Sequence, residues 1–236
     1  MELIRDSWNK EDGENFQNYL RSLQRKSKIE WTKNSLKTDM PVLAIMAPTI
    51  KDISKQITKG NYREFLNLRL WDFYENTAIY ANIISSIKDF DELKTNLEWY
   101  SKKVDNWASC DALKINIKGK EKEIIELSKE YIKSKKPFVR RIGVILLFKL
   151  VKKDEFIKEI FEILNSFENE KEYYVNMVNA WLICECFIHK REETINFLNT
   201  HKLNKFTLNK AIQKCRESYR ISLDDKNMLL KYKVME

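Results

Sequence analysis

Across 236 residues the chain holds only four glycines and three prolines. Hairpins, tight turns and phosphate-cradling loops draw on those residues for left-handed or preset backbone angles, so a chain this poor in both has little with which to turn a sheet. Lys, Glu, Leu and Ile abound instead, which points to an all-α fold. With 43% apolar residues over this length the chain can bury a core of its own, and one domain spanning residues 1–236 is expected.

Apolar residues recur at three- and four-residue spacing in successive blocks, which predict helices at 16–25, 49–58, 62–72, 77–88, 92–102 and 106–113. Further blocks follow at 120–134, 138–151, 154–167, 172–189, 192–199, 207–218 and 224–233. Short polar connections such as "KKDE" and "NEKE" separate many of them, the pattern of antiparallel helix neighbours.

Helices of this length joined in this way build either a bundle or a solenoid, and an internal repeat decides for the second. The segments "PFVRRIGVILLFKLV" and "YYVNMVNAWLICECF" overlay at an offset of 36, with Phe138 on Tyr174. "FTLNKAIQK" matches the first half more weakly, with Val139 on Leu208. The offset lies within the roughly 20 to 45 residues of a stacked repeat. Subtracting it from Arg141 lands on Asp105, and adding it lands on Met177, with Trp181 one turn further. The overlay therefore predicts that Asp105, Arg141 and Trp181 project from one side of the array.

Charge is segregated along the chain, whose formal net charge is +8. Residues 114–153 carry 13 Lys and Arg against 4 Glu, residues 154–172 carry 7 acidic against 2 basic, and residues 201–220 return to a net of +5. A basic wall suits a nucleic-acid backbone, since each neutralised phosphate releases counterions. The alternative from composition alone is a set of solvated helix faces.

Several classes of chemistry lack their residues. There is no Gly-rich phosphate loop and no Ser/His pairing, and neither histidine, His189 nor His201, lies near Asp105 in the chain. Four cysteines, Cys110, Cys184, Cys186 and Cys215, fall in apolar helical patterns without a CxxC pair, so buried free thiols are expected. Cys186 and His189 are one turn apart, but no second pair completes a four-ligand set, and neither a metal nor another cofactor is expected. The charged N-terminus lacks a signal-peptide core, and the apolar run 142–148 is 7 residues long against the roughly 20 a bilayer requires. A cytoplasmic protein without a membrane segment is the expectation.

The ordered set "VLAIMAPTIKDISKQI", "LWDFYENTAIYANIISSI", "VDNWASCDAL", "FVRRIGVILLFKL", "YYVNMVNAWLICECF" and "KFTLNKAIQKCRESYRIS" resembles the DNA alkylation repair family, the AlkD-like DNA glycosylases, over about four-fifths of the chain. The resemblance implies a HEAT-like α-solenoid that grips duplex DNA and excises cationic N3- and N7-alkylpurines. It places the catalytic carboxylate, from the family's "VD" pair, on Asp105, the family's Arg on Arg141 and a helix-centre aromatic on Trp181. On such a DNA-gripping surface Arg141 is expected to hold a phosphate bidentately, with Arg140, Lys135 and Lys136 adding non-directional attraction and Lys210 and Lys214 as further DNA contacts. A further family Trp, one turn before the Asp, falls on Ser101; the adjacent Tyr100 and Trp99 are the candidate aromatic substitutes, although they point about 100° and 200° away around a helix.

Read as residues alone, each position keeps a second meaning. Asp105 suits an N-cap for the helix beginning near residue 106, Arg141 suits a snorkelling cation beside an apolar run, and Trp181 suits core packing. The alternatives to a glycosylase are a relative that binds DNA or RNA structure without cleaving, consistent with Ser101, and a protein-interaction scaffold that uses the acidic 154–172 block.

Overall fold

A computed structural model describes residues 1–234, and every regular element among them is helical. The chain divides into two compact units, Met1–Asn116 and Ile117 onward. Among the described residues no helix is long and apolar enough to cross a membrane.

The first unit holds α1 (Lys10–Ser22), α2 (Ile29–Leu36), α3 (Ala47–Ile57), α4 (Tyr62–Asn67), α5 (Tyr74–Ser86), α6 (Phe90–Ser101) and α7 (Trp107–Asp111). Its first helix begins at a capping box: the Asn9 side chain accepts the Asp12 N–H at 3.0 Å, and the Asp12 carboxylate accepts the Asn9 N–H at 2.9 Å. At the centre is α5, which packs on α3, α6 and α7 and seals Ile79, Tyr80, Ile83 and Ile84 from solvent. Phe65 stands edge-on to both Trp8 and Phe16 at 5.0 Å and lies 5.5 Å from Tyr80, so aromatic burial ties the N-terminal segment to α4 and α5. The helix expected over 62–72 stops at Asn67, because Arg69 takes a φ of 52° and hands the next N–H, of Leu70, to the Tyr80 hydroxyl at 3.0 Å.

The second unit holds α8 (Glu121–Tyr131), α9 (Pro137–Leu147), α10 (Asp154–Asn165), α11 (Tyr173–His189), α12 (Arg191–Thr200), α13 (Lys205–Glu217) and α14 (Leu223–Met228). Short 3-10 turns at Leu150–Lys152 and Leu229–Tyr232 close the helices expected over 138–151 and 224–233. The central helix is α11, apolar nearly all round, with α9 on one side and α13 on the other. Rings meet at the starts of the neighbouring helices, Phe138 with Tyr174 at 5.8 Å and Tyr173 with Phe206 at 5.8 Å. Near their far ends Phe148 meets Trp181 at 4.4 Å, and Arg220 meets Glu185 in an ion pair. The three helices therefore run side by side in one direction, and for α9 and α11 this is what the 36-residue overlay requires. This is the all-α, solenoid-like layering expected of the chain. A buried polar knot sets the register of α13: Asn176 Oδ1 accepts from Thr207 Oγ1 at 2.7 Å and from Asn204 Nδ2 at 3.0 Å, and Asn204 itself caps α13.

Candidate active site and nucleic-acid interface

Asp105 lies in the turn between α6 and α7, and it is not the cap of the helix that follows. Asn106 takes the extended conformation at φ −145° and its side chain accepts the Ser109 N–H at 2.9 Å, so the capping duty falls one residue later. The Asp105 carboxylate instead reaches 67 residues back along the chain. Thr38 Oγ1 lies 2.9 and 2.8 Å from its two oxygens, Asp39 N–H donates to Oδ2 at 3.2 Å and Asn106 Nδ2 to Oδ1 at 2.9 Å. The Thr38 hydroxyl oxygen accepts the Met40 N–H at 3.1 Å, which leaves its proton to point at the carboxylate. Thr38 is in place because α2 ends on Lys37 in the left-handed conformation, φ 54°. Asp105 stays half-buried, held by three donors.

Sequence reasoning missed α2 and everything it contributes. Its eight residues bury only Leu36, too thin an apolar stripe to register as a period, yet its far end positions Asp105, and Trp107 Nε1 donates to its Ser35 carbonyl at 3.2 Å. Trp31, on the same helix, is 70% exposed and borders a cleft of about 420 Å³ with Arg25, Lys28, Tyr74 and Glu75. Glu75 is buried, and its carboxylate accepts the N–H groups of Leu43 and Ile45 at 3.0 and 3.3 Å across Ala44, which takes a φ of 58°. Burial pushes the Glu75 carboxyl up and, with the neighbouring Glu75 charge adding to it, pushes the Tyr74 phenol up to about 12.

Ser101 and its two neighbours are all engaged within the first unit. Ser101 is buried and donates to the Glu98 carbonyl at 3.1 Å. Tyr100 is sealed in the core with its hydroxyl between the carbonyls of Thr77 and Ser109, at 3.2 and 2.9 Å. Trp99 is half-buried against Trp71 at 5.1 Å, and its face is covered by the Arg69 guanidinium at 4.5 Å. Both belong to the packing of the first unit.

In the second unit the structure separates the basic residues that sequence reasoning grouped. Arg140 is not an open DNA contact: it makes a bidentate pair with Glu170, at 2.8 and 3.0 Å, and also donates to the carbonyls of Ser134 and Lys135. Both partners' side chains are largely buried, and the carboxylate goes on to accept the N–H groups of Lys171 and Glu172 ahead of α11. Arg141 is 5% exposed and donates to the Tyr174 carbonyl at 2.5 Å, so it ties α9 to α11 from within instead of snorkelling or reaching outward to a phosphate. Lys135 and Lys136 are exposed beside the start of α9; Lys210 and Lys214 are half-exposed on α13. Trp181 is 36% exposed, with Phe148 supporting it at 4.4 Å, which sets aside core packing as its whole role and leaves indole surface open to solvent. Asp105 thus stands in the first unit and Arg141 and Trp181 in the second.

All four cysteines are free and buried, as expected. Cys186 is fully sealed, its thiol pushed up by burial, while His189 is exposed at the end of α11 with Nε2 3.7 Å from Glu185. Among the described residues no group of three or more His, Cys, Asp or Glu side chains converges as a metal site.

No curated protein matches the chain. A family model described as "DNA alkylation repair enzyme" matches residues 16–215.

Proposed function

From the premise that the chain belongs to the DNA alkylation repair enzyme family, and so has a role in DNA alkylation repair, we propose that it is a DNA glycosylase. It hydrolyses the N-glycosidic bond of cationic N3- and N7-alkylpurines in duplex DNA. The observation that carries the reading is the state of Asp105: a carboxylate freed from capping, oriented by Thr38, Asp39 and Asn106, and left half open. A cationic alkylpurine leaves as a neutral base when the C1′–N bond breaks with its electron pair, so no general acid is required. Charge develops instead on the sugar, where a fixed carboxylate stabilises the oxocarbenium-like centre and orients the attacking water. That water adds to C1′ and gives its proton to solvent or to the carboxylate. In the second unit Trp181 keeps an exposed aromatic face for DNA, and Lys135, Lys136, Lys210 and Lys214 attract the phosphate backbone without fixing it. Arg141 acts as a positioning residue through the α11 backbone.

The test is direct. Duplex DNA treated with a methylating agent is incubated with the protein, and released bases are separated by chromatography. Release of 3-methyladenine and 7-methylguanine above the spontaneous rate supports the reading. Tight, salt-dependent binding of the same DNA with release at the spontaneous rate would overturn it in favour of a relative that recognises DNA structure without cleaving.

A further inference from the structure

A second feature lies along α13; it shares Lys210 with the proposed duplex contacts and no residue with the surroundings of Asp105. A groove of about 840 Å³ runs between α13 and the Leu229–Tyr232 turn with its following residues, bordered by Lys205, Phe206, Lys210, Arg216, Leu230 and Lys233. Its outer wall is held in place because Asn209 exchanges two hydrogen bonds with the Val234 backbone, at 2.9 and 3.0 Å. Thirteen helical residues give the groove a length of about 20 Å. Among the described residues one acidic side chain lines it, Glu217, and this carboxylate is occupied by Gln213 Nε2 at 2.8 Å. Among the described residues neither Arg216 nor Lys233 is in an ion pair.

At one end the groove opens onto bare aromatic surface. Phe206 is 38% exposed and touches Tyr173, 54% exposed, ring to ring at 5.8 Å. Lys210 Nζ lies 5.9 Å from the Phe206 centroid. Cations along a groove with exposed rings at its mouth are the two components by which proteins hold unpaired nucleotides: the charges follow the phosphates and the rings stack with base faces. A duplex hides those base faces, and an acidic peptide satisfies the lysines but has no base to lay on the rings.

We propose that the α13 groove is a binding site for a short unpaired segment of DNA, with one base stacked at Phe206 and Tyr173 and its phosphates along Arg216 and Lys233. The proposal is independent of the Asp105 assignment.

Fluorescence anisotropy with a labelled hexathymidylate and with an abasic backbone of the same length tests it. Wild-type protein binds the hexathymidylate more tightly than the abasic strand. Phe206→Ala weakens the hexathymidylate by about 5- to 100-fold and leaves the abasic strand unchanged. The double variant Arg216→Glu/Lys233→Glu weakens both. Thermal unfolding checks each variant, and Phe206→Leu, which keeps most of the volume but removes the ring face, replaces Phe206→Ala if the latter does not fold. Equal wild-type affinity for the two strands, no binding, unchanged binding by the variants, or equally tight binding of a hexaglutamate peptide would each overturn the proposal. Base release from methylated duplex is measured on the same variants, so that loss of oligonucleotide binding with release intact separates the groove from the Asp105 reading.

Discussion

At the residue scale, Thr38 holds Asp105 in place. Its hydroxyl receives the Met40 N–H and turns its proton to the carboxylate, so replacing it with the isosteric valine removes a donor without opening a cavity. Thr38→Val is expected to lower single-turnover base release by roughly tenfold to a hundredfold, the scale on which misplacing a catalytic group is felt, while DNA binding persists. Unchanged release would remove Thr38 from the account. A second residue carries a pH signature. His201 is half-buried, burial holds its pKa below the ordinary value, and its Nδ1 accepts the Leu203 N–H at 3.0 Å, an acceptor that protonation removes. The folded state disfavours the charged imidazole, so the unfolded state binds the proton first, and stability is lost as pH falls through the unfolded value of about 6.5. Melting temperatures between pH 7.5 and pH 5.5 should fall less for His201→Gln than for the wild type. Sequence reasoning named Asp105, but it also favoured a cap there as a second meaning. Two adjacent residues, Asp105 and Asn106, both suit an N-cap, and only the backbone settles which one takes it.

At the scale of elements, what sequence periodicity could reach was the set of helices with a broad buried stripe. Both α5 and α11 show one and were found; α2 buries a single leucine and was not, though its end holds the catalytic candidate. Arg140 and Arg141 show the same limit. Both sit in a basic stretch that reads as a DNA contact, but Glu170, thirty residues away, takes one and the Tyr174 carbonyl takes the other. No local pattern announces partners at that separation. The packing of α8 on α9 gives a sharp prediction. A Cβ at Gly143 would lie 3.0 Å from Ile132 Cγ2 and from Tyr131 Cβ, and the Gly143 carbonyl already accepts the Ser128 hydroxyl at 2.7 Å. Gly143→Val should therefore overpack the contact and cost about 1 to 3 kcal/mol in chemical denaturation, whereas a variant as stable as the wild type would show that the two helices can move apart freely.

At the scale of the whole molecule, the all-α class was legible because it follows from what the chain lacks, glycine and proline, as much as from what it contains. The offset of 36 was legible because α9 and α11 repeat one packing problem, an aromatic at the start and an apolar run behind it. A net charge of +8, concentrated in residues 114–153 and 201–220, predicts that duplex binding weakens steeply with salt. A plot of log affinity against log salt concentration should be linear with a slope of several units, and a flat plot would favour the scaffold reading over any nucleic-acid role. The central claim, that this member of the family cleaves the glycosidic bond with Asp105, is tested most directly by one comparison. Single-turnover release of 3-methyladenine and 7-methylguanine from methylated duplex is measured for the wild type and for Asp105→Asn, at protein concentrations that saturate the DNA for both. Release that falls by two orders of magnitude or more in the Asn variant, with binding retained, is the predicted result. Release at the wild-type rate from Asp105→Asn would contradict it.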